Sequence, residues 1–265
     1  MRPRPQLMVN TPAIELWPGG LLRARANRDA RILSRAQWVL RRKRDGQYLA
    51  AELPEGLVAL VPALAREDGI EDALAALAHH GPLPRMGPVQ ALPLSGLEAR
   101  LEGLGLDVDG YAERTGLALV PEPIQLQLAG FDRFRRPLWL AGGAARAWRH
   151  LQHAARRDGV ILDAISGYRS HDYQLGIFER KLARGQSIDE ILEVNAAPGF
   201  SEHHSGRALD IGTPGEPPAE ETFEATDAFA WLQANAAAGG FAMSYPRDNP
   251  HRITYEPWHW RFDAP

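Results

Sequence analysis

Two short segments in the C-terminal half of the chain carry the residues best suited to metal chemistry. Residues 201–210 read SEHHSGRALD, and residues 256–261 read EPWHWR. Within them, His203, Asp210 and His259 offer two imidazoles and one carboxylate. Three such ligands can bind zinc and leave one coordination position open. The two segments therefore predict a hydrolytic site that holds one zinc ion.

The spacing of these residues indicates how the chain brings them together. His203 and Asp210 are seven positions apart, which is typical of a loop residue that leads into a strand, with Gly206 allowing a tight turn between them. This differs from the His-x-x-x-His pattern of a helical zinc site. His259 is expected on a neighbouring strand. Glu256, three residues before His259, can take a proton from a water that the metal activates and pass it to a leaving amine.

Two other histidines are alternative ligands. His204 is the direct rival of His203, but neighbouring residues of a strand or loop point in opposite directions, so it is expected to support the site or face solvent. His251 is a weaker candidate in a loop rich in Pro and Asn.

The combined pattern of these residues resembles a known family. It is similar to the zinc D-alanyl-D-alanine carboxypeptidases of the VanY type, within the wider group of lysostaphin-like and D-Ala-D-Ala peptidases. The resemblance covers about residues 130–262. It rests on these residues in their order along the chain: Tyr168, Arg169, Ser170, Gln174, Ser201, His203, Gly206, Ala208, Asp210, Glu256, Trp258 and His259.

The resemblance implies an enzyme that removes a terminal D-alanine from peptidoglycan stem peptides or muropeptides. It implies one zinc ion bound by His203, Asp210 and His259, with Glu256 as the general base. Arg169 would hold negative charge, either the terminal carboxylate of the peptide or the developing oxyanion, because its planar guanidinium pairs with carboxylates through two hydrogen bonds.

The same resemblance implies further substrate contacts. Ser201 and Gln174 would form hydrogen bonds with the substrate carboxylate or backbone, and Tyr168 would lie beside them as a substrate contact or as a packing wall. Related activities would use the same residues: an L,D-carboxypeptidase, or an endopeptidase that cuts within the stem or cross-bridge. A non-catalytic zinc module that binds cell wall is the alternative outside enzymes, although it has no need for the carboxylate of Glu256.

Composition excludes some classes of protein. A hydrophobic fraction of 45% with 24% charged residues is ordinary for a globular protein, and the absence of cysteine excludes disulfides and thiolate metal sites. The net charge of −3 argues against a general polyanion binder, so no nucleic-acid partner is expected. The first fifty residues nevertheless carry eleven Arg and Lys against three acidic residues. This basic region is either a solvated surface or a contact for a membrane surface or an anionic polymer, with nucleic-acid binding as the weaker alternative.

The location of the protein is ambiguous from its sequence. No apolar run is long enough to span a membrane, and the N-terminus lacks the pattern of a signal peptide. These features predict a cytoplasmic protein, whereas the implied substrate lies in the cell envelope.

We predict an α+β fold in two parts. Residues 1–128 form an accessory domain, and residues 129–265 form a catalytic domain with a small, mostly antiparallel sheet and flanking helices. Periodicity predicts helices over 70–79, 141–157, 172–184 and 223–238, and strands over 160–165, 208–211, 241–245 and 253–255. Residues 258–262 alternate, with His259 and Arg261 on one face. The sequence also predicts an irregular arm with one short strand over 1–28, a hairpin at 44–46, a linker over 81–93 and a capping box from Ser187 to Glu190.

Overall fold

The computed structural model describes residues 6–79, 90–193 and 196–263. The chain forms two compact units. The first contains Met1–Pro93 and Pro123–Gln127, and the second contains Leu94–Glu122 and Leu128–Pro265. The predicted linker over 81–93 lies largely outside the described residues.

The first unit is an antiparallel sheet with two helices. The sheet has the order β5-β4-β3-β2-β1, and β1 then pairs with the first residues of β6 (Gln125–Phe131). The elements are β1 (Leu7–Asn10), β2 (Ile14–Pro18), α1 (Asn27–Leu33), β3 (Trp38–Arg42), β4 (Tyr48–Leu53), β5 (Gly56–Ala59) and α2 (Ile70–Ala78).

The prediction of an irregular arm with one short strand over 1–28 was wrong for part of that stretch, which contains two strands. Residues 7–10 and 14–18 are sheet strands, and Met8, Ile14 and Leu16 are fully buried. These strands have only four and five residues, so the Pro and Gly residues around them hid their alternation.

The hairpin predicted around Asp45 and Gly46 is confirmed. It joins β3 to β4, with Gly46 at a φ of 71°. Several basic residues of this region form ion pairs within the unit: Arg41 with Glu15, Arg42 with Asp45 and Glu67, and Arg35 with Glu55.

The second unit contains a four-stranded antiparallel sheet of order β10-β11-β9-β8. Helices of different lengths accompany it, and α5 (Gly142–Arg157) has sixteen residues. The elements are α3 (Leu97–Gly103), α4 (Val108–Thr115), β7 (Pro137–Leu140), α5 (Gly142–Arg157), β8 (Asp163–Ser166), α6 (His171–Leu182), α7 (Ile188–Glu193), β9 (Ala208–Gly212), α8 (Asp227–Asn235), β10 (Phe241–Met243) and β11 (His259–Phe262). The α+β class predicted from the sequence is confirmed.

The core of the second unit lies between the sheet and α5. Trp148 on α5 is 1% exposed and shares one apolar cluster with Leu209 of β9, Trp260 of β11 and Leu232 of α8. This packing fixes the face of the sheet that turns away from the core. The alternation predicted for residues 258–262 is confirmed, because Trp260 and Phe262 both belong to this cluster.

The boundary between the units differs from the one predicted at residue 128. Leu94–Glu122 belongs to the second unit, because α3 and α4 enclose an apolar cluster with Leu175 of α6 and with Phe200. The contacts of this cluster join segments that are far apart in the sequence, so the spacing of its leucines does not predict them.

Other elements differ from the prediction in their limits. The predicted strand over 253–255 is absent from the structure, which gives that stretch no regular element. The predicted helix over 223–238 is an α-helix only over Asp227–Asn235, with a 3₁₀ helix on each side. The capping box is confirmed, since Ser187 N donates to Glu190 at 2.7 Å and Glu190 N donates to Ser187 at 3.3 Å. Among the described residues, no helix has the length and apolar character needed to cross a membrane.

Candidate active site

The sheet of the second unit sets two of the three predicted ligands directly opposite each other. His259 is the first residue of β11, and its register partner on β9 is Asp210. On the other side of β9, Ser166 of β8 pairs with Asp210 after an irregularity in the ladder. Both ligand candidates are buried, with 2% of His259 and 6% of Asp210 exposed.

His203 reaches the same point from a short 3₁₀ helix. The helix spans Glu202–Ser205 and ends at Gly206, which has the left-handed conformation that glycine favours, with a φ of 66°. The Nδ1 of His203 lies 2.6 Å from the carbonyl oxygen of Gly167. A carbonyl can only accept, so Nδ1 carries the proton and Nε2 is the nitrogen that faces Asp210, at 3.2 Å from Oδ1.

His259 presents its other ring nitrogen. Its Nε2 lies 2.9 Å from Oε2 of Glu202, while its Nδ1 lies 3.2 Å from Oδ1 of Asp210. Hydrogen bonds from His259 and Ser244 and the charge of Arg261 lower the pKa of Glu202 to about 2, although burial acts in the opposite direction. The carboxylate of Glu202 is therefore ionised and accepts the proton on Nε2, which leaves Nδ1 to face Asp210.

Sequence reasoning missed Glu202. Its position next to His203 gave no signal by itself. The alternation of β11 could have indicated an acidic partner, because it places His259 and Arg261 on one face. Both of these residues contact Glu202.

The three predicted ligands fit a divalent metal. One donor atom from each of His203, Asp210 and His259 lies within 4.8 Å of the others. Burial lowers the pKa of His203 to about 4, so its ring is neutral and can donate a lone pair. Burial also acts to lower the pKa of His259, but hydrogen bonds to Asp210 and Glu202 raise it to about 10. Without a metal the ring of His259 is therefore protonated on both nitrogens, and a metal ion would replace the proton on Nδ1. Two imidazoles with one carboxylate suit zinc.

Glu256 lies at the edge of this cluster. Its Oε2 is 3.7 Å from Nδ1 of His259, and 22% of its side chain is exposed. Burial raises the pKa of Glu256 to about 7. A carboxylate with a pKa near neutrality can both accept and return a proton, as general acid–base catalysis requires.

The cluster forms one wall of a cavity of about 230 Å³. Of the eight predicted site residues, all but Tyr168 line it. The lining comprises Arg169, Gln174, Ile177, Ala196, Ser201, His203, Asp210, Ala219, Tyr245, Ile253, Glu256, Trp258 and His259. Tyr245 was not predicted; its ring lies 4.8 Å from that of His259.

Two cavity residues carry buried polar atoms that have no partner among the described residues. They are Nε of Arg169 and Oε1 of Gln174. The amide of Gln174 is oriented because its Nε2 donates to the carbonyl oxygen of Ala196 at 3.0 Å, so Oε1 can only accept. Arg169 Nη2 lies 3.9 Å from Oδ2 of Asp210. The cavity thus offers one cationic donor and one acceptor, and a buried polar atom without a partner costs free energy until a ligand satisfies it.

Tyr168 is directed elsewhere. Its hydroxyl donates a hydrogen bond to Oε2 of Glu122 at 2.6 Å, and it does not line the cavity.

The two alternative histidines also have other partners. His204 is fully buried rather than solvent-facing, and its Nδ1 bonds to the carbonyl oxygen of Arg169 at 2.7 Å. His251 bonds to the carbonyl oxygen of Thr115 at 2.9 Å. Neither histidine belongs to the metal-binding cluster found among the described residues.

Comparison with known proteins assigns the family. The model of the VanY D-alanyl-D-alanine carboxypeptidase family matches residues 138–265. The Bacillus subtilis protein YodJ is 40% identical over 129 residues, which cover 45% of this chain and 44% of YodJ. The bifunctional D-Ala-D-Ala dipeptidase and D-Ala-D-Ala carboxypeptidase VanXYC of Enterococcus gallinarum is 30% identical, over 53% of this chain and 75% of VanXYC.

A solved structure was also matched. It is a mutant of the vancomycin resistance D,D-pentapeptidase VanY from a VanB-type resistance cassette, in complex with Zn(II). It is 28% identical, with a TM-score of 0.41, over 48% of this chain and 75% of that chain.

The buried His-Asp-His cluster lies within the residues that the family model matches. The chain belongs to the VanY family of D-alanyl-D-alanine carboxypeptidases. It spans less than half the length of the first curated relatives that it matches.

Proposed function

We propose that the protein is a zinc-dependent carboxypeptidase that removes the terminal D-alanine from peptidoglycan stem peptides. The observation that carries this proposal is that one cavity contains both the His203–Asp210–His259 cluster and Arg169, whose Nε has no partner within the described part of the chain. A peptide end needs both features, because its carboxylate requires a cation and its scissile carbonyl requires polarisation.

His203 Nε2, His259 Nδ1 and a carboxylate oxygen of Asp210 would hold the zinc ion. When bound, zinc supplies Lewis acidity that polarises a carbonyl and makes a water molecule more acidic. Gly167 and Glu202 bond to the remaining ring nitrogens and keep each imidazole in the orientation that this ligation needs.

Arg169 binds the terminal carboxylate of the peptide, since its guanidinium stays charged at all relevant pH values and pairs with carboxylates. Gln174 accepts a hydrogen bond from a substrate N–H through Oε1, which has no partner among the described residues. Ser201 lines the same cavity, where its hydroxyl would form a hydrogen bond with the peptide backbone.

Glu256 moves the proton. It takes a proton from the attacking water as the new C–O bond forms, and it delivers that proton to the nitrogen of the departing D-alanine as the C–N bond breaks. The products are a free D-alanine and a peptide shortened by one residue, with one water consumed.

Digestion of muropeptides tests the proposal. The zinc-loaded protein is incubated with defined pentapeptide, tetrapeptide and cross-linked muropeptides, and the products are weighed by mass spectrometry. Conversion of pentapeptide to tetrapeptide with release of D-alanine is expected. Conversion of tetrapeptide to tripeptide would instead identify an L,D-carboxypeptidase, and separation of cross-linked peptides would identify an endopeptidase. Binding to cell wall without any product would indicate the non-catalytic module. Since the proposed substrate lies in the cell envelope, we place the activity there.

A further inference from the structure

A buried carboxylate outside the region that the family model matches contacts both ends of the Arg169 turn. Glu122 is 3% exposed, and its Oε2 accepts a hydrogen bond from the hydroxyl of Tyr168 at 2.6 Å. Its Oε1 accepts one from the backbone N–H of His171 at 2.7 Å. Tyr168 and His171 flank Arg169 and Ser170 in the sequence, so one carboxylate ties the entry of this turn to its exit.

The backbone of Arg169 is held from a second side. Its N–H donates to the carbonyl oxygen of His203 at 3.3 Å, and its own carbonyl accepts from Nδ1 of His204 at 2.7 Å. The ring of His204 packs edge-on against that of His171, with centroids 4.4 Å apart. Glu122 therefore supports, through His171, the same histidine that bonds to the backbone of Arg169.

The side chain of Arg169 has weaker support. Its described ionic contact is 3.9 Å long, to Asp210, and its Nε has no partner among the described residues. With few contacts of its own, the side chain depends on the backbone for the position and direction of its Cα–Cβ bond. The hydrogen bonds at the turn consequently set the region of the cavity that the guanidinium can reach.

We propose that Glu122 is a positioning residue that holds the Arg169 turn so that the guanidinium meets the terminal carboxylate of the substrate. This inference rests on the role given to Arg169 in the proposed function. A carboxylate suits the task because both of its oxygens accept, and the Tyr168 hydroxyl and the His171 N–H both donate to it. A glutamine in its place would offer one acceptor and set an NH₂ donor against a donor.

The experiment compares two substrates on the zinc-loaded, full-length protein. One is a short peptide that ends in D-alanine, and the other is the same peptide with a C-terminal carboxamide. Glu122→Gln is expected to raise KM for the acid by roughly tenfold, because small displacements of a binding group weaken it strongly. Its kcat should change less than about twofold, and its KM for the carboxamide should stay near wild type. Glu113→Gln is the matched control, since Glu113 is an exposed carboxylate on α4 of the same segment.

A second variant covers the case in which Glu122→Gln does not fold. Tyr168→Phe deletes one donor to Glu122 and should raise KM for the acid in the same selective way, by a smaller factor. The double variant should show less than the sum of the two effects, because both changes remove the same contact. Zinc content and the melting temperature are measured for each protein.

The two assignments fail in different ways. If Arg169→Lys weakens acid and carboxamide equally, the carboxylate contact of Arg169 is wrong, and this inference falls with it. If Arg169→Lys is selective for the acid while Glu122→Gln and Tyr168→Phe are not, the positioning role of Glu122 is wrong and the proposed function stands. A selective KM effect in all three variants, with Glu113→Gln unchanged, supports the inference.

Discussion

His259 and Glu202 form a histidine–carboxylate pair, with Nε2 and Oε2 2.9 Å apart. Glu202 is held in turn by Ser244 Oγ and by Arg261 Nη1, each at 2.6 Å. The pair fixes the proton of His259 on Nε2 and turns Nδ1 towards Asp210. The candidate metal centre thus depends on a residue that does not face it.

The first prediction concerns this pair. Glu202→Gln should weaken zinc binding by about 10- to 100-fold, because carboxylates that support a ligand histidine raise its basicity and fix its orientation. Competition with a chromogenic chelator measures the affinity. Glu220→Gln, an exposed carboxylate elsewhere in the unit, is the control and should bind zinc like the wild type. An unchanged affinity in Glu202→Gln would show that the hydrogen bond does not support ligation.

The second prediction separates proton transfer from metal binding. Glu256→Gln keeps the size of the side chain but cannot accept a proton, so kcat should fall roughly 100- to 10,000-fold. Zinc content, measured by plasma mass spectrometry on the same sample, should remain at wild-type level. Wild-type turnover in this variant would remove Glu256 from the mechanism.

A third prediction tests the ligand set. His203→Ala, Asp210→Ala and His259→Ala each delete one donor atom, and each should purify with little zinc and regain little after incubation with the metal. His251→Ala is the control, because the ring of His251 bonds to a backbone carbonyl. Full zinc occupancy in any of the three variants would exclude that residue as a ligand.

Gly206 gives a prediction on stability. Its φ of 66° is unfavourable for other residues, so Gly206→Ala should lower the free energy of unfolding by about 1–2 kcal/mol. The same change displaces His203 relative to Asp210 and should weaken zinc binding as well. Chemical denaturation measures the first effect. Gly103→Ala, on α3 with open space around the added Cβ, should be neutral or slightly stabilising. Equal stabilities of the two variants would contradict the conformational role of Gly206.

The residues that face the candidate metal centre were predictable from the sequence because they lie in two short, ordered segments. Residue type and spacing limited the choice among histidines, and the family resemblance selected His203 over its neighbour His204. The family membership inferred from those segments is confirmed, whereas the roles of the individual residues remain predictions.

The residues behind the site were not predictable in this way. Glu122 is 46 positions from Tyr168, and Glu202 is 57 positions from His259. Both residues support the site through contacts with distant segments of the chain. Neither the periodicity of hydrophobic residues nor the spacing of motifs predicts such contacts. The same limit explains why β1 and β2 were not recognised: strands of four or five residues gain their stability from partners across the sheet.

The pairing of His259 with Asp210 across β11 and β9 has a consequence for folding. Successive residues of a strand point to opposite faces, so a slip of β11 by one residue would turn Trp260 towards the polar cavity and bury His259 in the apolar core. A misaligned sheet would therefore lack the metal ligand that His259 offers. Zinc would bind the correctly aligned chain and stabilise it against its slipped alternatives. Zinc binding would then favour the native register of β11 and β9, in addition to any part that the metal takes in hydrolysis.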